Sequence, residues 1–143
     1  MIDISLVDIV RLSPQHDYLP FDCLDSDLND FLLSDSKHYL KRLLAVTYLF
    51  EYEGITIAFF SVSNDKISAQ EFESNRMFKR MFQDLMLDGK KYRSYPAVKI
   101  GRFGVHKDFQ GKGLGSKLLD YIKGMFITNN RTGCQYITVD AYK

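Results

Sequence analysis

Gln110-Gly111-Lys112-Gly113-Leu114-Gly115 is the stretch whose reading decides the fold. Three glycines alternate within five residues, and both flanks are structured. On the N-terminal side, Ala97 to Val105 reads as a strand. On the C-terminal side, residues 113 to about 127 put Leu114, Leu118, Ile122 and Met125 on one helical stripe, with Lys117, Asp120 and Lys123 facing away. The unit is therefore strand, glycine turn, helix.

A helix start exposes backbone N–H groups that have no partner within the helix, together with the positive end of the helix dipole. That combination binds anions, pyrophosphate among them. Glycine at 111, 113 and 115 keeps Cβ atoms away from an approaching phosphate, and Lys112 adds a positive charge in the same turn. A turn that only packed a helix against a sheet would not need three alternating glycines.

Two familiar diphosphate motifs fail on inspection. A P-loop requires GxxxxGK followed by Ser or Thr, but Gly111-Lys112 is followed by Gly113, and His106 stands where the first glycine belongs. A dinucleotide fingerprint GxGxxG starts at Gly111 and Gly113 but meets Ser116 at its third glycine. Arg131 stands where the ribose-binding acid of that motif would be.

Working outward, Val46 to Tyr52 and Ile55 to Val62 are β-branched and aromatic runs on either side of Glu53-Gly54, the pattern of an antiparallel hairpin. Asp25 or Ser26 can cap a helix carrying Leu28, Phe31 and Leu32 on one face and running, with a break, to about Lys41. Ile4 to Leu12 reads as a first strand. Phe78, Met81, Phe82 and Leu85 predict a helix before Asp88-Gly89, and Tyr136 to Asp140 a short final strand.

The chain's 143 residues suit a single domain, 1–143, and no Pro/Gly/Ser linker or repeat divides it. A hydrophobic fraction of 45% and a net charge of +1 give an ordinary globular balance without a global pull towards nucleic acid or membrane. Cys23 and Cys134 have no CxxC partner, which argues against a metal or redox motif and suits a reducing cytoplasm, with a single disulfide between them the alternative. The first residues lack the pattern of a signal peptide, and no apolar run approaches the ~20 residues of a membrane span.

With Gln/Arg-x-x-Gly-x-Gly/Ala satisfied by Gln110 to Gly115, and with Arg102 to Phe109 before it and Ser116 to Leu119 after, the sequence resembles the GCN5-related N-acetyltransferase (GNAT) family. The order of elements from about Ile4 to Ala141 agrees. The resemblance implies an α/β (α+β) acyl-CoA N-acyltransferase fold, with a mixed, mostly antiparallel sheet flanked by helices. It implies acetyl-CoA as cosubstrate, with no metal, and direct attack by a primary amine of unknown identity. Pyrophosphate would sit on the turn Gln110, Gly111, Lys112, Gly113, Leu114, Gly115 and Ser116. The pantetheine arm would add as a strand beside Phe103, Gly104 and Val105. Strand amides would then stabilise the tetrahedral oxyanion.

Phe21-Asp22-Cys23, then Leu28-Asn29-Asp30-Phe31-Leu32, with Lys99 to Val105, is similar to a bacterial branch of the family that includes tRNA-acetylating toxins. A basic cluster of Arg76, Lys79, Arg80, Lys90, Lys91 and Arg93 is the candidate tRNA contact, although a solvated helix face and loop is the simpler account of it.

Family members usually continue past the position of Ala141 with a helix, whose tyrosine protonates the coenzyme A thiolate, and two more strands. This sequence ends at Tyr142-Lys143, so the expectation is a C-terminally truncated family fold. A non-catalytic CoA-binding module is the alternative to a transferase. An apolar edge at 136–140 would favour a homodimer. Tyr142 does not match the helix tyrosine, and the catalytic residues stay unknown. Glu51, Glu53 and Asp140 are candidate bases without a motif, and His16, His38 and His106 are equally unspecific, His106 being expected on the surface.

Overall fold

Tyr52-Glu53-Gly54-Ile55 closes the hairpin through two residues in the left-handed region, Glu53 at φ 49° and Gly54 at φ 80°. This is the primed turn whose twist matches that of the strands it joins. In the computed structural model, which describes residues 3–68, 94–128 and 136–139, the hairpin strands are β2 (Val46–Tyr52) and β3 (Ile55–Ser68). Three more strands complete one sheet: β1 (Asp8–Arg11), β4 (Ser94–Val105) and β5 (Tyr136–Val139). Their order is β1-β2-β3-β4-β5. The first three pairings are antiparallel, and β4 with β5 is parallel, with Ala97 opposite Tyr136 and Ile100 opposite Val139.

The first strand is shorter than the sequence predicts. The Asp3 carboxylate accepts from the Ser5 amide at 3.0 Å and holds Ile4–Leu6 in a 3-10 turn, so pairing begins only at Asp8. Short polar side chains compete with extended backbone in this way.

The helical stretch starts where it is predicted to. Asp25 caps α1 (Ser26–Asp30) by accepting from the amides of Asp27 and Leu28, at 2.9 and 3.2 Å. The break is a π turn, Phe31–Asp35, before α2 (Ser36–Lys41). Ser36, fully buried, donates its hydroxyl to the Leu32 carbonyl at 2.7 Å and lies 2.5 Å from the Tyr18 hydroxyl. The helix in the second half of the chain, α3 (Leu114–Thr128), buries Leu114, Leu118 and Ile122 as its stripe requires. Phe126 is buried as well, while Met125 only packs against the margin of the same cluster. Lys117, Asp120 and Lys123 are exposed.

Alternation along the strands sends side chains to two separate cores. Tyr48, Phe50, Phe60, Val98 and Ile100 meet α3 on one face. Leu12, Leu49 and Phe59 meet Phe31 and Leu32 on the other. Phe50, Phe59 and Phe60 are wholly excluded from solvent, each worth roughly 1.5–3 kcal/mol of burial. Tyr48 stacks on Phe60, with centroids 5.0 Å apart and planes 9° from parallel.

The helix predicted around 78–87, the basic residues between 76 and 93, Arg131, Cys134, Asp140 and Tyr142 lie outside the described residues. No helix among the described residues is long and apolar enough to cross a membrane.

Candidate functional site

The signature turn leaves β4 through a single 3-10 turn, Lys107–Phe109. His106 caps it, and here the structure corrects the expectation of an exposed histidine. His106 is 7% exposed, between the rings of Phe21 and Phe109. Its Nδ1 accepts from the Asp108 amide at 3.1 Å, which fixes the ring as a cap. Sequence position could not show this, because the burial comes from a segment 85 residues earlier.

Gly111 and Gly113 then adopt φ 75° and 74°. A side chain in that region is strained, and at both positions a Cβ would meet nothing within 4 Å. The turn is thus both conformationally glycine-dependent and open above its backbone. Gly115 differs: its φ is ordinary, and a Cβ would make van der Waals contact at 3.9 Å with Phe103 and Val105. The first helical bond of α3 runs from the Lys117 amide to the Gly113 carbonyl at 3.3 Å. The amides of Gly113, Leu114, Gly115 and Ser116 therefore precede the helical ladder, as donors the helix itself cannot satisfy. Gln110, Gly111, Lys112, Gly113 and Ser116 are exposed, whereas Leu114 is buried in the α3 core and can offer only its backbone.

The strand edge that leads into this turn is open along part of its length. On one side β4 pairs with β3 as far as Val105 opposite Ala58. On the other, pairing with β5 stops at Ile100, so among the described residues no strand pairs with Gly101 to Val105 on that edge. Gly101 is the extra residue of a bulge: Ser61 opposes Arg102 and Val62 opposes Ile100. Bulges increase local twist and end regular pairing. Phe103 and Val105 face the α3 side, and both are half-buried. Gly104 faces the other core, where a Cβ would stand 3.0 Å from Phe59 and 3.4 Å from Phe21. Arg102 lays its guanidinium 4.0 Å above the Phe31 ring centroid and 5.1 Å from that of Tyr39.

One side chain ties turn and strand together. Gln110 donates its side-chain amide to the Val105 carbonyl at 2.7 Å and to the Cys23 carbonyl at 2.9 Å. The glutamine is thus committed to backbone carbonyls. Sequence reading missed Cys23 and its neighbours as parts of the site; the Phe21-Asp22-Cys23 pattern was the only signal of them.

The candidate bases are placed as follows. Glu51 is half-buried and bonded to His16, Oε2 to Nε2 at 2.9 Å. Glu53 sits exposed in the hairpin turn, where its carboxylate pushes the Tyr52 phenol above its ordinary value. His38 lies in the last turn of α2. None of these side chains contacts Gly101–Val105 or the signature turn through an observed hydrogen bond. Among the described residues no group of three or more His, Cys, Asp or Glu side chains gathers.

A glycine turn and an open helix start lie at the end of an open strand edge. That arrangement suits a long ligand with a diphosphate at one end and an amide-containing arm at the other.

The acetyltransferase (GNAT) family model matches residues 80–142. No curated protein matches the sequence. Among solved structures, AtaT complexed with acetyl-methionyl-tRNAfMet is similar, with a TM-score of 0.72 at 19% identity, covering 96% of this chain and 79% of that one. A tyrosine-to-phenylalanine mutant of KacT gives the same TM-score, identity and coverage. A mutant AtaT toxin bound to the C-terminus of the antitoxin AtaR and acetyl-CoA gives 0.67 at 18% identity, covering 96% and 77%. At these identities the likeness is one of fold. The fold is GNAT-like, a five-stranded mixed sheet with helices on both faces, and the resemblance drawn from the signature holds in both the family-model match and the architecture.

Proposed function

We propose that this chain, with a GNAT-like fold and a GNAT-family match over residues 80–142, is an acetyl-CoA-dependent N-acetyltransferase. The observation that carries the proposal is the continuity of the open β4 edge, Gly101 to Val105, with the glycine turn and the unpaired amides that start α3. The residues present fit the cosubstrate. Backbone donors from Gly111 to Ser116, with Lys112 beside them, would hold the pyrophosphate. The β4 edge at Phe103, Gly104 and Val105, where the Val105 carbonyl already accepts from Gln110, would take the pantetheine arm as an added strand.

An amine nitrogen attacks the thioester carbonyl carbon, the C–N bond forms, the C–S bond breaks, and the amine's proton leaves as the sulfur takes one up. Strand amides near the Gly101 bulge supply donors for the oxyanion of the tetrahedral intermediate. The protein's further task is positioning, which lowers the entropic barrier of bringing the two substrates together.

For the acceptor, aminoacyl-tRNA is the finer reading. It is supported by the fold likeness to AtaT, whose structure holds acetyl-methionyl-tRNAfMet, and by the Phe21-Asp22-Cys23 pattern. The basic residues Arg76 to Arg93 are its proposed contact. Incubation with acetyl-CoA and an amine panel that includes aminoacyl-tRNA tests both levels. Free thiol released with any amine supports acetyl transfer, and release with aminoacyl-tRNA alone supports the finer reading. Calorimetric binding of acetyl-CoA with no thiol release from any acceptor would overturn the transferase and leave a binding module.

A further inference from the structure

The loop between β1 and α1 reaches across to β3 and to the segment that follows β4, with two contacts on each. The Thr56 amide donates to the Pro20 carbonyl at 3.0 Å, the Lys107 amide to the Asp22 carbonyl at 2.8 Å, and Gln110 Nε2 to the Cys23 carbonyl at 2.9 Å. Phe21 meanwhile packs edge-on against Phe59, centroids 5.4 Å apart. Two of these bonds fall on Lys107 and Gln110, the residues that lead into the glycine turn.

The loop's own shape depends on one carboxylate. Asp22 Oδ1 accepts from the Leu24 amide at 2.9 Å and from Asn29 Nδ2 at 3.0 Å, while Asn29 Oδ1 in turn accepts from the Cys23 amide at 3.0 Å. The other oxygen, Oδ2, lies 3.6 Å from Lys107 Nζ. Leu24 is held at φ 71°, a left-handed conformation that a leucine adopts only when its surroundings impose it. The Asp22 bond to its amide is such a constraint. These same hydrogen bonds hold the Asp22 carboxyl below its ordinary value, the one from Leu24 contributing most.

We infer that Asp22 is a positioning residue for the anion-binding turn: through Asn29 and the Cys23 and Asp22 carbonyls it sets where Lys107 and Gln110 stand, and hence where Gly111 and Gly113 present their amides. The inference rests on the reading of the turn as a coenzyme A site. Asp22 itself would touch no part of the ligand. Its effect is pre-organisation, since a turn already held in the binding conformation loses less entropy when the pyrophosphate arrives.

The test compares Asp22→Ala, Asp22→Asn and Asn29→Ala with the unaltered chain. Coenzyme A is titrated calorimetrically, and amide hydrogen exchange is followed over residues 105–113. Asp22→Ala should weaken coenzyme A binding roughly tenfold and speed exchange at the hydrogen-bonded amides of Lys107, Asp108 and Phe109. Asp22→Asn keeps an oxygen that accepts from Leu24 and Asn29, so it should recover most of both. Asn29→Ala, which leaves Asp22 in place, should reproduce the loss and covers the case in which Asp22→Ala does not fold. Unchanged exchange over 105–113 in the folded Asp22→Ala or Asn29→Ala variant overturns the inference, as does unchanged coenzyme A affinity. If the unaltered chain binds no coenzyme A, the ligand reading fails on its own, and the exchange data still decide whether Asp22 positions the turn.

Discussion

Gly104 lies so close to Phe59 that a Cβ on the glycine would stand 3.0 Å from Cε1 of the ring. Phe59 is fully buried and braced by Phe21 and Phe31, so it has no room to retreat. The open edge of β4 is therefore seated against the aromatic core by the absence of a side chain at one position.

Gly104→Ala is expected to destabilise the protein by about 1–3 kcal/mol through overpacking. Gly115→Ala, whose Cβ would meet its neighbours only at 3.9 Å, is expected to stay within about 0.5 kcal/mol. Urea denaturation of the two variants checks the contrast. Equal midpoints would show that Phe59 yields freely.

Gly113→Ala places a side chain at φ 74° in open space, so its expected cost of about 1–2 kcal/mol is conformational rather than steric. Gly113→Asp adds a carboxylate where the pyrophosphate is proposed to sit, and repulsion between like charges should abolish coenzyme A binding. Calorimetry on both variants separates backbone strain from charge. An aspartate variant that binds as well as the alanine one would remove the phosphate from this turn.

The end of α2 offers a gain in stability. The amides of Leu43 and Leu44 donate to the carbonyls of Leu40 and Tyr39, at 3.1 and 2.9 Å, which forms a Schellman cap with Leu43 at φ 59° where glycine is usual. Leu43 is 91% exposed, so its side chain contributes little burial. Leu43→Gly should raise stability by about 0.5–1 kcal/mol as the strain is relieved, read as a higher melting temperature.

Burial pushes the Cys23 thiol above its ordinary value, with the nearby carboxylates of Asp25 and Asp22 adding to the effect. Because the folded value is raised, the contribution of this group to stability is complete below the unfolded thiol value and is lost as pH rises through the folded one. Cys23 should therefore resist iodoacetamide in the native protein at pH 8 and react after unfolding in urea. Peptide mass spectrometry reads the difference, and modification of Cys23 at the rate of a free thiol in the folded chain would refute it.

Much of the fold is legible in local pattern. The Glu53-Gly54 turn, the Asp25 cap and the apolar stripe of α3 are each set by residues within a few positions of one another, so sequence alone reads them. The boundary errors have local causes that pattern does not weigh, such as the Asp3 carboxylate bending Ile4–Leu6 into a turn and the Ser36 hydroxyl bonding back to Leu32 beside the π turn.

The signature from Gln110 to Gly115 is likewise a sequence-level fact: which glycines are present excludes a P-loop and a dinucleotide loop and carries the resemblance to a coenzyme A turn. What tertiary structure alone decided is how that turn is held. Gln110 is bonded through its side-chain amide to the carbonyls of Val105 and Cys23. His106 looked exposed and proved to be buried against Phe21. Gly104 stands where a Cβ would crowd Phe59. The physical reason is common to all three. Each is fixed by a partner that only chain folding brings within hydrogen-bond or van der Waals range, and neither periodicity nor motif spacing carries that distance.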